Sequence, residues 1–392
     1  MLLGMRPSWL EQVRECRMVS LPLSGVRVAD FTRVLTGPHC TQTLGDLGAD
    51  VLKIEPPGGD DTRQWGPPFG ADGQATYFQS CNRNKQSVAL DLKNPHDLET
   101  ARRVIAKSDV LVENFRPGTL EKLGLDPTAL RLESPRLIVC RITGFGAYGA
   151  LADWAGYDVI AQGMSGFMMY TGDDQPMKAG VAVADIFAGA LACQGILAAL
   201  YERESTGVGR LVEVNLLEAM LALGSYQVSR YLGAGEDAER LGNGHRSIVP
   251  YGLFRTLDGH VNIAGGNDKI FAALGVTLEI PEFSDPRFSN NAGRTLHREQ
   301  VNALLEAALR RFSSAEIVPL LQAAGVPCGP VWSVAQVMDS DFVSSRGIVT
   351  HAPDSAVRVT APPLEFDGQR LPVRLEPPVL DAHRDLLEDW LA

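Results

Sequence analysis

The sequence predicts an α/β fold built on a parallel sheet, and three observations support this. Short runs rich in Val, Ile and Leu alternate with helix-forming segments through the first half of the chain. Gly, Pro, Asn and Asp cluster between these segments, as is typical of turns. The chain has 392 residues, 45% apolar and 21% charged, which indicates a soluble globular protein with two domains rather than one.

The elements of the first domain follow one another as strand and helix, which implies right-handed crossovers between parallel strands. Pro95 occupies the first turn of a predicted helix, where its missing N–H costs nothing. The segment Ile186–Leu200 is apolar nearly all round and is predicted to be a buried helix. The predicted strands are 26–31, 51–55, 87–92, 110–112, 137–142 and 211–215, and the other predicted helices are 41–47, 95–107 and 216–232.

The second half of the chain predicts a smaller α+β domain inserted into the first. Asp258-Gly259 is a strong turn signal between two alternating apolar runs, so residues 251–264 are predicted to form a hairpin. Two helical patterns follow it, at 296–312 and 314–324. The predicted boundaries are an extension at 1–19, a large domain at 20–232, a linker at 233–245, a small domain at 246–343 and a return to the large domain at 344–392, ending in a strand and a helix.

Charge and cysteine content narrow the functional class. A formal net charge of -11 argues against nucleic-acid binding, which requires clustered Lys and Arg. The six cysteines are widely spaced with no CxxC pair, which favours reduced thiols in a cytoplasmic protein over disulfides or a metal site. No uninterrupted apolar run reaches about 18 residues, so no membrane span is predicted.

Asp185 is the most informative single residue. It stands in the otherwise small and apolar run Gly180–Gly189, directly before the predicted buried helix. One interpretation is a helix N-cap, for which Asp is favoured by about 0.5–2 kcal/mol over Ala. The other is a nucleophilic carboxylate, which a helix N-terminus would keep ionised. The two roles are compatible, and the local sequence leaves both open.

A ligand site is predicted at one edge of the sheet. The turn Thr32–Cys40 joins the first strand to a helix, the position where α/β sheets bind phosphate-bearing ligands, although its glycines do not follow GxGxxG. Asn82–Lys85 and Arg116–Lys122 add cations in loops on the same edge. Together they suit a phosphorylated nucleotide, while a plain strand–turn–helix with solvated surface cations is the alternative.

The chain also resembles a known family, the class III coenzyme A transferases, which include formyl-CoA transferase, carnitine CoA-transferase and α-methylacyl-CoA racemase. The resemblance runs from Leu23 to the C-terminus in many ordered matches. Its motifs are Leu23–Pro38, Leu47–Arg63, Asn82–Lys85, Val112–Gly118, Thr143–Gly146, Gly156–Asp158, Val183–Asp185, Glu202–Arg210, Ile248–Gly252 and Gly325–Cys328.

The resemblance implies a Rossmann-like large domain, an inserted small domain and an interlocked homodimer. It also implies that Asp185 is the catalytic nucleophile and that CoA, as substrate rather than prosthetic group, lies over the large domain. No metal or other cofactor is expected. The residues that the resemblance assigns to CoA binding are Val34, Leu35, Thr36, Lys85, Asn114, Phe115, Lys122, Gly144, Phe145 and Gly146.

The predicted function is transfer of CoA between an acyl-CoA and a free carboxylic acid through an aspartyl-CoA thioester. A dicarboxylate such as succinate is expected as donor or acceptor, its distal carboxylate held by His39, Arg63, His245 and Arg246. The racemase branch has a histidine where this chain has Tyr157, a poor base with an ordinary pKa near ~10. A racemase, or a nucleotide-binding module in which Asp185 only caps a helix, is the alternative.

Overall fold

The computed structural model describes residues 21–392. The predicted extension at residues 1–19 lies outside the described residues. The internal contacts divide the described chain into two compact units. The first contains the chain up to Ser165 together with Ala179–Ser229 and Ser344–Ala392, and the second contains Gly166–Lys178 and Arg230–Val343.

A six-stranded parallel sheet forms the centre of the first unit, and all six predicted strands are present. The strand order β3-β2-β1-β4-β5-β6 is the order of doubly wound dinucleotide-binding sheets, in which ligands bind at the carboxyl ends of the strands. The strands are β1 (Arg27–Phe31), β2 (Asp50–Glu55), β3 (Gln86–Ala89), β4 (Val110–Glu113), β5 (Ile138–Thr143) and β6 (Leu211–Asn215).

Helices connect these strands and continue through the second unit. In chain order they are α1 (Thr36–Asp46), α2 (Thr76–Ser80), α3 (Pro95–Ala106), α4 (Thr119–Lys122), α5 (Pro127–Glu133), α6 (Asp158–Met164), α7 (Phe167–Tyr170), α8 (Val183–Thr206), α9 (Leu216–Leu223), α10 (Ser225–Ala234), α11 (Asp268–Thr277), α12 (Asn291–Leu296), α13 (Arg298–Leu309), α14 (Ser314–Ala323), α15 (Val334–Met338), α16 (Asp341–Ser345) and α17 (Leu387–Leu391). Short 3-10 turns lie at Asp61–Gln64, Pro281–Ser284, Pro286–Phe288 and Arg384–Leu386.

Each face of the sheet is buried under its own apolar cluster. Alternation along β1 places Val28 in the cluster that includes α1 and α8, and Ala29 in the cluster that includes α3 and the C-terminal α17. The same alternation places two charged residues, Asp30 and Lys53, toward the α1 side, and they are direct partners in the register of β1 and β2. Asp30 and Lys53 are both buried, and both contact Thr32, in the turn that leads to the candidate site.

Two predicted helices differ from the structure for reasons of local geometry. Helix α1 begins at Thr36 rather than residue 41, because Pro38 falls in its first turn, where a missing N–H breaks no helical hydrogen bond. The predicted helix 216–232 is interrupted at Ser225, whose φ of 42° is left-handed, and becomes α9 and α10.

The second unit contains an antiparallel sheet of β7 (Tyr251–Arg255), β8 (His260–Ala264) and β9 (Cys328–Pro330). The predicted hairpin at Asp258-Gly259 is therefore present. The stretch 233–245, predicted to be a linker, belongs to this unit, as does Gly166–Lys178, which the prediction places in the large domain. Side-chain contacts explain the difference, since Arg246 pairs with Glu239 at 2.8 Å and Arg240 donates to the Asp173 carbonyl.

The C-terminal stretch of the first unit contains two small antiparallel ladders and the closing helix α17. The ladders pair β10 (Val349–Thr350) with β11 (Val359–Thr360) and β12 (Glu365–Phe366) with β13 (Gln369–Arg370). Among residues 21–392, one helix, α8, is long and apolar enough to cross a membrane by length and composition alone. The core helix of a soluble protein passes the same test, and in α8 Ala188, Ala192 and Ile196 are buried in the described core.

Candidate active site

Asp185 is the third residue of α8 and does not serve as its cap. The helix begins at Val183, and its N-cap residue, Ala182, has no side chain that can accept a hydrogen bond. A carboxylate from another element takes that role, because Asp158 Oδ1 accepts from the Ala184 N–H at 2.9 Å. The interpretation of Asp185 as only an N-cap is therefore wrong, and its carboxylate is left for other contacts.

A glycine allows α1 to approach the first turns of α8. A Cβ on Gly189, one turn after Asp185, would lie 2.5 Å from the Thr36 carbonyl oxygen, so a side chain there would push the helices apart. The close approach brings the Thr36 hydroxyl to Asp185, where it donates to Oδ1 at 2.5 Å. Thr36 is the first residue of α1, so the N-terminal ends of two helices meet at this carboxylate.

Burial raises the pKa of Asp185 to about 6, opposed by the Thr36 hydrogen bond and reinforced by the negative charge of Asp158. The residue is 9% exposed. The carboxylate is therefore ionised at neutral pH but held in a poorly solvated setting without a paired cation in the contacts described. A buried anion of this kind is a better nucleophile than a solvated one.

Asp185 lies in the wall of a cavity of about 130 Å³ at the carboxyl end of the sheet. Six of the residues predicted for the site line it together: Val34, Thr36, Asn114, Phe115, Gly144 and Asp185. The rest of the wall consists of Arg33, Arg116, Pro117, Ile142, Thr143, Ala152, Trp154, Ala155, Gly156, Tyr157 and Leu216. The prediction thus brought together one side of the cavity; it named Arg116 only as a loop cation on the same edge and did not single out Arg33 or Trp154.

Two glycines shape the far wall. The backbones of Gly144 and Gly156 pack so closely that a Cβ on Gly144 would lie 2.5 Å from the Gly156 Cα. Phe145, predicted to contact the ligand, is instead buried behind the wall, its ring edge-on to Trp154 with centroids 6.4 Å apart. The Gly146 N–H donates to the Thr143 hydroxyl at 2.9 Å.

A second cavity of about 270 Å³ adjoins the first, and Arg33 and Phe115 line both. Its other lining residues come mainly from the ends of β1, β2 and β3 and include Ile54, Leu90 and Leu92. Lys122, predicted to lie near the ligand phosphates, is exposed on α4 and directly precedes Leu123, which lines this cavity. The two cavities therefore share part of their wall.

Lys85 and Arg63 do not line either cavity, and the structure corrects their predicted roles. The Lys85 ammonium is fully buried and donates to Asp30 Oδ2, the Pro38 carbonyl and Asn82 Oδ1, so its three protons are occupied. Arg63 forms a two-point contact with Glu55 at 2.7 and 2.8 Å. Both cations stabilise the fold around the site.

The remaining predicted residues also lie outside the cavity wall. Leu35 is buried as the N-cap residue of α1, and His39 is half-buried on that helix, its pKa lowered by burial and by the charges of Arg83 and Lys85. His245 and Arg246 belong to the second unit, where Arg246 pairs with Glu236 and Glu239. Within residues 21–392 no cluster of His, Cys, Asp or Glu is arranged to hold a metal ion.

The cavity residues that the prediction did not assign have weak sequence signals. Arg33 directly precedes Val34 in the predicted ligand-binding turn, and Arg116 was predicted only as one of several loop cations on that edge. Tyr157 entered the prediction only as a departure from the racemase pattern, yet it lines the cavity and is 60% exposed. Trp154 sits in a segment without periodicity, so nothing in the local sequence indicates its position.

Comparison with known proteins identifies the family. The model of CoA-transferase family III matches residues 23–384. The succinate–glutarate CoA-transferase of Agrobacterium fabrum is 44% identical over 83% of this chain and 84% of its own length. The succinyl-CoA:glutarate CoA-transferase of Mus musculus is 39% identical over 94% of this chain and 86% of its own length.

A solved structure shows the same fold. The crystal structure of a CaiB/BaiF family protein from Brucella suis superposes with a TM-score of 0.87 at 40% identity, covering 95% of this chain and all of that one. The chain therefore belongs to CoA-transferase family III and is an enzyme of that class.

Proposed function

We propose that the protein transfers CoA between an acyl-CoA and a free dicarboxylic acid, through a covalent thioester on Asp185. The observation that carries the proposal is the Asp185 carboxylate, buried in the cavity wall at the N-terminal end of α8 with a single hydroxyl donor. Relatives named for succinate and glutarate support a dicarboxylate substrate.

The proposed chemistry needs only this carboxylate and the thiol of CoA. Asp185 attacks the carbonyl of the acyl-CoA, giving a mixed anhydride and CoA thiolate. The thiolate then attacks the aspartyl carbonyl, releasing the donor acid as its carboxylate and leaving aspartyl-CoA. The acceptor carboxylate attacks this thioester, again giving an anhydride and the thiolate. Thiolate attack on the acceptor's acyl carbonyl then releases the new acyl-CoA and restores Asp185.

The N-terminal end of α1 supplies the best-placed donors for the oxyanions that form in these steps. The Val34 N–H already donates to Asp60, and the Gly146 N–H to Thr143. The first N–H groups of a helix have no partner within it, and α1 begins at Thr36, which lines the cavity. The N–H groups of Thr36 and Gly37 are therefore assigned to this role.

The adjoining cavities suit the two ends of an acyl-CoA. The smaller one, with Asp185, takes the thioester, and the larger one, with its apolar wall and Lys93, takes the nucleotide end. Arg33 and Arg116 are the cations that line the Asp185 cavity, and they replace His39 and Arg63 as the residues proposed to hold substrate charge.

Mass spectrometry after incubation with succinyl-CoA tests the proposal. We expect the mass of CoA minus water on the peptide that contains Asp185, and its loss on addition of hydroxylamine or glutarate. Asp185→Asn should show no adduct and no turnover, whereas Glu202→Gln, which alters an exposed ion pair with Arg210, should behave as wild type.

Two outcomes would contradict the proposed function. A wild-type protein without adduct, together with an active Asp185→Asn variant, would refute covalent transfer. Exchange of the α-deuterium of a 2-methylacyl-CoA, without acyl transfer, would favour the racemase alternative, despite Tyr157 standing where that branch has histidine.

The proposal also includes a cytoplasmic homodimer of two interlocked copies, acting without nucleic acid or membrane. Large side chains exposed on the first unit support a further protein contact, among them Tyr201 at 85% and Tyr226 at 64%. Light scattering on the purified protein should give twice the mass of one chain, and a monomer that is fully active would contradict the dimer.

A further inference from the structure

The turn that delivers Thr36 to Asp185 has a strained backbone. Val34 has a φ of 70°, in the left-handed region that a β-branched residue rarely adopts. Strain of this kind persists only where the surroundings impose it. Two residues later, Thr36 begins α1 and donates to Asp185, so the direction of the turn determines where that hydroxyl points.

The ion pair between Lys53 and Asp60 contacts this turn at two points. The Val34 N–H donates to both carboxylate oxygens of Asp60, at 3.2 and 3.3 Å. The Lys53 ammonium donates to Asp60 Oδ2 at 3.0 Å and to the Thr32 carbonyl at 2.8 Å. Lys53 and Asp60 thus contact the turn at Thr32 and at Val34.

Burial makes this pair rigid. The Lys53 side chain is completely buried and that of Asp60 is 1% exposed. Asp60 is itself fixed, because its Oδ1 accepts from the Thr62 N–H and hydroxyl and its own N–H donates to Glu55. Neither residue lines the cavity that contains Asp185, although Asp60 lines the adjoining one. The hydrogen bonds to Thr32 and Val34 are the contacts through which the pair can act on Asp185 itself.

We propose that the Lys53–Asp60 ion pair is a positioning device for the reaction: it holds Val34 in its left-handed conformation and so aims the Thr36 hydroxyl at Asp185. The inference rests on the proposed role of Asp185 as nucleophile. It assigns to Lys53 and Asp60 an effect on the rate of the first covalent step rather than a contact with the reacting atoms.

A double-mutant cycle with glycine tests the positioning role. Asp60→Ala removes the acceptor of the Val34 N–H, and we expect the rate constant for aspartyl-CoA formation to fall about 10- to 100-fold, the scale of a misplacement near 1 Å. Val34→Gly makes the left-handed turn cost little. The same Asp60→Ala change in a Val34→Gly background should therefore slow the step only a few-fold.

Three comparisons separate the possible outcomes. Asp50→Ala, which removes an exposed carboxylate from the same strand as Lys53, should leave the rate constant unchanged. An equal loss from Asp60→Ala in both backgrounds, or no loss in either, would overturn the positioning role while adduct formation in the wild type still upholds the proposed function. A wild type without adduct would contradict the proposed function itself.

A conservative variant covers the case in which Asp60→Ala does not fold. Asp60→Asn keeps an oxygen that can accept from Val34 and removes the charge that pairs with Lys53. The same cycle with this variant should show a smaller loss in the wild-type background and almost none with Val34→Gly. Equal losses in the two backgrounds would again count against the inference.

Discussion

Asp30 and Asp185 are both buried carboxylates at the carboxyl end of the same sheet, but their surroundings are opposite. Asp30 is completely buried, and although burial alone would raise its pKa, the ammonium groups of Lys85 and Lys53 and the hydroxyls of Thr32 and Thr41 lower it below the usual value. Asp185 has one hydroxyl donor, and burial raises its pKa to about 6.

The difference separates a compensated buried charge from one with little compensation. When a buried carboxylate is compensated by cations and hydrogen bonds, removing it leaves those cations buried without a partner, which strongly destabilises the fold. A buried carboxylate that faces a cavity with little compensation destabilises the fold and remains available for attack on a substrate. In this enzyme the two kinds are linked, since Asp30 and Asp60 accept hydrogen bonds from Thr32 and Val34, in the turn that leads to Thr36.

Removing the compensated charge should have the largest effect on stability. Asp30→Asn leaves the buried Lys85 ammonium without its carboxylate, and we expect the free energy of unfolding to fall by about 3–5 kcal/mol. Urea unfolding at pH 7 measures this change. Glu202→Gln, which breaks a pair exposed to solvent, is the matched control and should change the value by about 1 kcal/mol or less. Equal effects of the two variants would show that the buried charge of Asp30 matters no more to stability than a charge exposed to solvent.

The sequence was sufficient to predict the sheet and to single out Asp185. Strand periodicity and turn residues located all six parallel strands, because each is a short apolar run with clear ends. Asp185 stood out because one acid interrupts a small apolar run. The cavity wall was partly predictable, since Asn114 and Gly144 directly follow strands, and Val34 lies three residues after one, and the carboxyl ends of these strands must meet at one edge.

Side-chain partners were not predictable from the sequence. Lys85 and Arg63 look like free cations in loops, and only the fold shows that Asp30 and Glu55 lie within reach of them. The same limit explains the cap of α8, which comes from Asp158 on a preceding helix rather than from the local residues. Whether a charged side chain is paired depends on contacts between residues that are far apart in the sequence, and the sequence pattern does not show those contacts.

Neutralising Asp185 should raise the free energy of unfolding by less than Asp30→Asn lowers it. The gain should appear only at pH values where the wild-type carboxylate is ionised. The folded state holds the Asp185 proton more tightly than the unfolded chain does, because burial raises the pKa from 3.8 to about 6. Folding stability therefore falls as the pH rises through this window and stays reduced above it. Asp185→Asn, which resembles the protonated acid, should be more stable than wild type by about 2–3 kcal/mol at pH 7, and equally stable below pH ~4. Urea unfolding of both proteins across pH 4 to 8 measures the difference. A stability gain that does not change with pH would show that the Asp185 charge is compensated after all, as that of Asp30 is.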